Sequence, residues 1–183
     1  RRSIRRYKQE AIPREQLAQL VDMARFAPPA SNSQNVSYMV IEQRQILREA
    51  VELTVQWMEA KVAAPPFHKS MPLHIRAWRQ WKEDTVLRNA PHLILAMAPE
   101  GFAKGRENTI SALSYLELFA PALGLGSCWA GILEMCIFDG YAPLLALFPV
   151  PEGKVITGAV MAGYPQYALR RLPDRNPLSA IYV

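Results

Sequence analysis

The sequence is poor in the residues that build disulfide frameworks and metal centres. It contains two cysteines, Cys128 and Cys136, and three histidines in 183 residues. Two cysteines cannot form a disulfide framework, and no histidine has a cysteine or carboxylate partner at the spacing of a metal site. We therefore expect two reduced thiols, a cytoplasmic location and no bound metal.

Long apolar runs and secretion signals are missing as well. A membrane-spanning helix needs about 20 apolar residues, whereas the longest candidate, residues 113–125, is interrupted by Glu117 and Pro121. The first residues are basic with no apolar stretch behind them, so we expect no signal peptide at this start and no membrane partner. The chain begins at Arg1 inside a motif described below, so whether residues precede it stays open.

The common catalytic motifs are also absent. The sequence has no G-x-S-x-G elbow, no H-E-x-x-H, no P-loop and no G-x-G-x-x-G. A partial match, Gly124-Leu125-Gly126, follows a helical pattern and is typical of a helix C-cap. We therefore expect no side chain that acts as a catalytic acid, base or nucleophile.

Positive charge is concentrated at both ends of the chain. With 21 basic and 16 acidic residues, the net charge is +5. The clustered basic residues are Arg1, Arg2, Arg5, Arg6 and Lys8 at one end, and Arg170, Arg171 and Arg175 at the other. Charge alone leaves open a solvated basic face or an anionic partner such as nucleic acid, a membrane or a phosphorylated small molecule.

The apolar pattern predicts one α/β or α+β domain over residues 1–183, with helices on both faces of a central sheet. Helical spacing runs from Pro13 to the Pro28-Pro29 pair and recurs in residues 45–61, 76–88, 107–123 and 139–147. Extended patterns cover residues 36–42, 91–98, 127–131 and 155–162. The helix at 107–123 is apolar nearly all round, so we expect a second subunit to cover it in a homodimer.

Two polar stretches could carry binding chemistry. Arg1-Arg2-Ser3-x-Arg5 gathers charged and hydroxyl donors, and Ser31-Asn32-Ser33-Gln34 supplies amides and hydroxyls on a loop. Arginine forks suit a phosphate, and amides suit the edge of a heterocycle. Taken singly, the first stretch is typical of a solvated basic start and the second of a turn.

These stretches belong to a series of motifs that runs nearly from end to end. They are RRSIR at residues 1–5, ARFAP at 24–28, ASNSQ at 30–34, APHLI at 90–94, LGLGSCWAG at 123–131, GYP at 163–165 and PDRNP at 173–177. In this order, the motifs resemble the nitroreductase family of FMN enzymes, and more narrowly the branch often fused behind a ferredoxin-like iron–sulfur module. No iron–sulfur cysteine cluster is present in this sequence.

The resemblance implies a mostly antiparallel central sheet flanked by helices, and an intertwined homodimer with two FMN sites at its interface. It assigns the basic start to the flavin, with Arg1 and Ser3 toward the phosphate and Arg5 near the pyrimidine edge. The other residues that it implies for FMN are Arg2 from the same start, Trp129, Ala130 and Gly131 near N5, Arg171 and Arg175 at the phosphate, and Pro28, Pro29, Ala30, Asn32 and Gln34 from the opposite subunit.

These roles agree with flavin chemistry. A reduced flavin carries negative charge near N1, which a fixed arginine stabilises. A flavin that passes electrons needs no strong acid or base from the protein, in keeping with the absent catalytic motifs. Two departures from the family pattern, Pro29 and Asn35 with Val36 and Ser37 after it, lie where the second substrate should approach.

We expect an FMN reductase with a ping-pong cycle, in which NAD(P)H reduces the flavin and a small acceptor such as a nitroaromatic or quinone takes the electrons. The alternatives are a flavin store or sensor with little turnover, and a reductase fed by a ferredoxin-like partner with an unknown acceptor. A nucleic-acid surface is disfavoured because the sequence lacks the aromatic platforms that bind single strands.

Overall fold

The computed structural model describes residues 1–64, 66–168, 171 and 174–183. Arg170 of the basic cluster and Pro173 of the last motif lie outside the described residues. Within the described part of the chain, no helix combines the length and the apolar character needed to cross a membrane.

A four-stranded antiparallel sheet forms the centre of the protein. Its strands are β1 (Ser37–Ile41), β2 (His92–Pro99), β3 (Gly126–Trp129) and β4 (Lys154–Gly163), in the spatial order β1-β2-β4-β3. Strand β2 is central, so Ile94 lies opposite Val40 on one side and Val160 on the other. The antiparallel sheet that the family resemblance implied is confirmed.

Among the described residues, five α-helices flank the two faces of this sheet and a sixth packs on one of the five. They are α1 (Arg14–Asp22), α2 (Arg44–Ala63), α3 (Met71–Trp81), α4 (Gly105–Phe119), α5 (Gly131–Phe138) and α6 (Ala142–Leu147). Helices α1 and α4 pack on one face, and α2, α5 and α6 on the other, with α3 against α2. Successive residues of β2 alternate between the two cores, so Leu93 faces the α2 side and Ile94 the α4 side.

The basic start of the chain lies beside the start of β3. The amide of Ile4 donates to the Ser127 carbonyl at 2.9 Å, and the amide of Lys8 donates to the Tyr164 carbonyl at 2.9 Å. Ser3 forms an isolated parallel bridge with Ser127. These backbone bonds fix the first eight residues against the segments that follow α4 and β4.

Two helix predictions, those at residues 76–88 and 139–147, were wrong in their bounds. The helix predicted at 76–88 is α3, which begins at Met71 and ends before Lys82, whose φ of 53° turns the chain away from the helix. Beyond it, the buried carboxylate of Asp84 accepts hydrogen bonds from the amides of Val86, Leu87 and Asn89 at 2.8–2.9 Å. An aspartate that bonds the following amides competes with helix formation, and this bonding explains the early end.

The segment after β3 also differs from its prediction. The extended segment predicted at 127–131 ends at Trp129, and Gly131 begins α5, which was not predicted. Helix α5 has the sequence GILEMCIF, which is almost wholly apolar and so shows no helical alternation. The helix predicted at 139–147 is the shorter α6.

Candidate functional site

The basic start, the end of α4 and the start of β3 enclose a cavity of about 630 Å³. This volume lies within the range of about 300–1,000 Å³ that is typical of ligand sites. Four cationic side chains line it, namely those of Arg1, Arg2, Lys8 and Arg171, together with the hydroxyl of Ser127 and one acid, Glu117. Four cations against one acid suit an anionic group such as a phosphate.

Both ends of the chain contribute to this cavity. Arg171 comes from the tail, and its carbonyl lies 3.5 Å from Nη1 of Arg2. The structure therefore brings together three residues that the sequence assigned to the flavin, Arg1, Arg2 and Arg171. Arg5 and Arg175 are exposed and do not belong to the described lining of this cavity.

Glu117 pairs with Arg1 at the floor of the cavity. Its carboxylate accepts a hydrogen bond from Nη2 of Arg1, and a second at 3.1 Å from the hydroxyl of Ser127. The Glu117 side chain is 3% exposed and that of Arg1 is 32% exposed. A buried carboxylate needs such partners, because an unpaired charge in the interior is costly. Arg1 uses one of its five N–H donors here, which leaves the others for a ligand.

A buried tyrosine shapes the same segment. The Tyr7 hydroxyl donates to the Ile4 carbonyl at 2.6 Å, and burial raises the pKa of Tyr7 well above its ordinary value. The hydroxyl therefore stays protonated and holds the turn between Ile4 and Tyr7 at any working pH. This turn places Arg5 on the surface, next to the cavity residues in sequence.

Four residues beyond Ser127, the chain turns from β3 into α5. The amide of Ala130 donates to the Ala159 carbonyl at 2.9 Å, so it is used within the fold. Gly131 is the first residue of α5, and its amide has no acceptor within the helix. Apart from the chain neighbours and the backbone of its own helix, no atom lies within 4 Å of the point where a Gly131 Cβ would be. Of Ala130 and Gly131, Gly131 is thus the one whose amide is free to reach a ligand.

The loop at residues 28–34 is held at the other end of α4. Asn108, which is buried in the first turn of that helix, accepts from the Ala30 amide at 2.8 Å and donates to the Ser33 hydroxyl at 3.0 Å. Ser31, Asn32 and Gln34 have φ angles of 51°, 51° and 46°. Non-glycine residues in this left-handed region are strained and persist where the surroundings fix them. Pro28, Asn32 and Gln34 are exposed, and Pro29 and Ala30 are half-buried.

The loop and the cationic cavity are therefore well separated within one chain. Asn108 and Glu117 are nine residues apart on α4 (117 − 108), which corresponds to about 13.5 Å along a helix. A single chain does not bring the two halves of the expected site together. That the loop serves the opposite subunit stays a prediction.

Sequence reasoning missed the residues that hold the site in place. Glu117 and Asn108 were not selected as site residues. The sequence did contain a signal for Glu117, because a lone acid in an apolar helix is seldom buried without a partner. Its position therefore indicated a buried carboxylate with a bonded partner. The pairing of Glu117 with Arg1 has no comparable local signal.

A family comparison agrees with this architecture. The model of the Nitroreductase family matches residues 1–164. The chain belongs to the nitroreductase family. Its predicted class, an oxidoreductase with this fold, is confirmed, whereas the link to a ferredoxin-like module stays a prediction.

Relatives and solved structures show how far the likeness extends. The chain is 27% identical over 131 residues to an iodotyrosine deiodinase of Thermotoga neapolitana, covering 69% of this chain and 67% of that protein. It is 26% identical over 171 residues to a putative NADH dehydrogenase/NAD(P)H nitroreductase of Archaeoglobus fulgidus, covering 91% and 82%. An FMN-bound nitroreductase of Bacteroides fragilis matches with a TM-score of 0.80 and 22% identity, over 100% of this chain and 94% of the other.

Proposed function

We propose that this nitroreductase-family chain binds FMN and reduces small acceptors such as nitroaromatics and quinones in a ping-pong cycle. When bound, FMN supplies the electron transfer. The observation that carries the proposal is the layout of β3, because Ser127 lines the cationic cavity at one end and Gly131 offers a free amide just past the other. FMN has the matching layout, with a phosphate at one end and a ring at the other.

The residues of this chain would bind and orient the cofactor. Arg1, Arg2 and Arg171 suit the phosphate, because guanidinium forks donate two parallel hydrogen bonds to it. Ser3 lies beside them, and Arg175 would join from the tail. The Gly131 amide suits the ring, and Arg5 suits the pyrimidine edge. The FMN found in the solved nitroreductases of Bacteroides fragilis and Desulfitobacterium hafniense supports the choice of cofactor.

The chain would complete its two sites as a homodimer. Helix α4 exposes a row of large apolar side chains, Ile110, Tyr115 and Leu118, the last of them 65% exposed. The tail likewise exposes Leu178, Ile181 and Tyr182. Apolar surface of this kind is typical of an interface. A second copy covering α4 would also bring its 28–34 loop toward the first copy's cavity.

NAD(P)H would be the electron donor, and the name of the Archaeoglobus fulgidus relative supports this choice. A store or sensor with little turnover would bind the same flavin, but NAD(P)H would not reduce that flavin rapidly.

A reducing, cytoplasmic compartment suits the free thiols Cys128 and Cys136, which are both buried.

The test is anaerobic reduction of the purified protein. We expect a yellow protein whose released chromophore is FMN, and whose flavin absorbance bleaches on mixing with NADH or NADPH. Subsequent addition of a nitroaromatic or a quinone should restore the absorbance. A colourless protein that takes up no added FMN would contradict the cofactor assignment. A flavin that neither nucleotide reduces would contradict the donor assignment.

A further inference from the structure

One edge of β4 extends past the end of β3 and is not paired with that strand there. This edge lies next to the β3–α5 corner, which is the turn at residues 129–131 between β3 and α5. Strand β3 pairs with β4 only over Val160 to Gly163, so the edge at Thr157 and Ala159 extends beyond it. Three groups from helices and the corner fill this edge. Arg106 donates to the Thr157 carbonyl, Glu134 accepts from the Ala159 amide at 2.8 Å, and the Ala130 amide donates to the Ala159 carbonyl at 2.9 Å.

Arg106 and Glu134 are also bound to each other. Nη1 and Nη2 of Arg106 each lie 3.2 Å from one carboxylate oxygen of Glu134. The Glu134 side chain is 9% exposed, so this pair is screened from water on the carboxylate side. The guanidinium lies 5.3 Å from the centre of the Trp129 ring and 4.9 Å from that of Phe138. Bidentate pairing and two aromatic faces leave the guanidinium little freedom.

The pair therefore connects three elements at one point. Arg106 belongs to the first turn of α4, Glu134 to the first turn of α5, and both bind β4. Glu134 follows Gly131 by one helical turn, so fixing its carboxylate also fixes the orientation of the Gly131 amide. Neither side chain belongs to the described lining of the cationic cavity.

We propose that Arg106 and Glu134 are positioning residues that hold the β3–α5 corner, and with it the Gly131 amide, in place for the flavin ring. The inference rests on the proposed function, since the ring is what the amide would meet. A lysine at position 106 could keep the charge, but it could not bond both carboxylate oxygens and the Thr157 carbonyl in this planar arrangement.

The test combines a measurement on flavin-free protein with a measurement of flavin binding. The variants are Glu134→Gln, the milder Arg106→Lys, and Lys104→Gln as the control. Lys104 lies two residues before Arg106 on the same turn and forms only an exposed pair with Glu107. Hydrogen exchange of residues 126–134 and 157–160 in the flavin-free protein should be at least about tenfold faster in both test variants, and unchanged in the control.

Riboflavin, which lacks the phosphate, then separates the two ends of the site. Losing one well-placed hydrogen bond to the ring should weaken FMN and riboflavin binding by the same factor, about five- to tenfold. Wild-type exchange in both variants would overturn the proposal, as would a loss of FMN affinity with riboflavin affinity preserved. If Glu134→Gln does not fold, Arg106→Lys decides. A wild-type protein that binds no flavin would refute the proposed function, while the exchange measurement would still test the corner.

Discussion

Replacing Asn108 with alanine tests whether the 28–34 loop is part of the flavin site. The substitution removes the hydrogen bonds to the Ala30 amide and the Ser33 hydroxyl, and Asn108 itself is only 4% exposed. At about 1–1.5 kcal/mol for each bond, the free energy of unfolding should fall by about 2–3 kcal/mol. The loss should concentrate in the loop, because the left-handed conformations of Ser31, Asn32 and Gln34 relax once their anchor is gone.

The assay is urea unfolding together with FMN titration of the flavin-free protein. If the loop reaches the flavin of the opposite subunit, FMN affinity should fall about tenfold, although Asn108 lies at the far end of α4 from the cavity of its own chain. Gln56→Ala is a matched control, since it removes one exposed amide that contacts Glu52 at 3.1 Å. An Asn108→Ala variant that keeps its FMN affinity would show that the 28–34 loop is not part of the flavin site, and one that keeps its stability would show that Asn108 does not anchor the loop.

Three further predictions concern the tail, the interface and the electron supply. Arg175→Ala should weaken FMN binding about ten- to hundredfold, because a charge-assisted phosphate contact contributes about 1.5–3 kcal/mol; unaltered FMN affinity in a titration would remove Arg175 from the site. Leu118→Glu should convert a dimer into a monomer that loses FMN, because an obligate interface buries on the order of 2,000 Å² and does not tolerate a central unpaired charge. Light scattering that reports an FMN-loaded monomer for the wild type would contradict this prediction. A low-potential ferredoxin-like donor should reduce the flavin faster than NAD(P)H does, since the exposed Arg2 and Arg6 can steer an acidic protein. Stopped-flow reduction in which a nicotinamide is the faster donor, and in which salt does not affect the protein donor, would show the opposite.

The sheet was predictable because its central strands are short, almost wholly apolar runs. Seven of the eight residues of β2 are buried, and such runs indicate a strand that is covered on both faces. Helix α5 escaped prediction because its apolar sequence has no polar face to reveal a helical period. The end of α3 escaped because it depends on the Asp84 side chain, and not on a change in hydrophobic pattern.

The residues of the candidate site were predictable only where they form local motifs. Arg1 and Arg2 of the RRSIR start line one cavity with Arg171 of the tail. Their binding of a flavin stays a prediction. The supporting contacts were not predictable, because Arg1 and Glu117 are 116 residues apart and Ala30 and Asn108 are 78 apart. Contacts between such distant positions follow from the packing of α4 between them, which no local pattern records.

The proposed function requires that the cationic cavity bind the phosphate of a flavin. The most direct measurement compares FMN and riboflavin binding to the flavin-free wild-type protein by fluorescence titration. If Arg1, Arg2 and Arg171 bind the phosphate, FMN should bind at least about tenfold more tightly than riboflavin, and the difference should shrink as salt is added. Equal affinities for the two flavins, or no binding of either, would contradict the account.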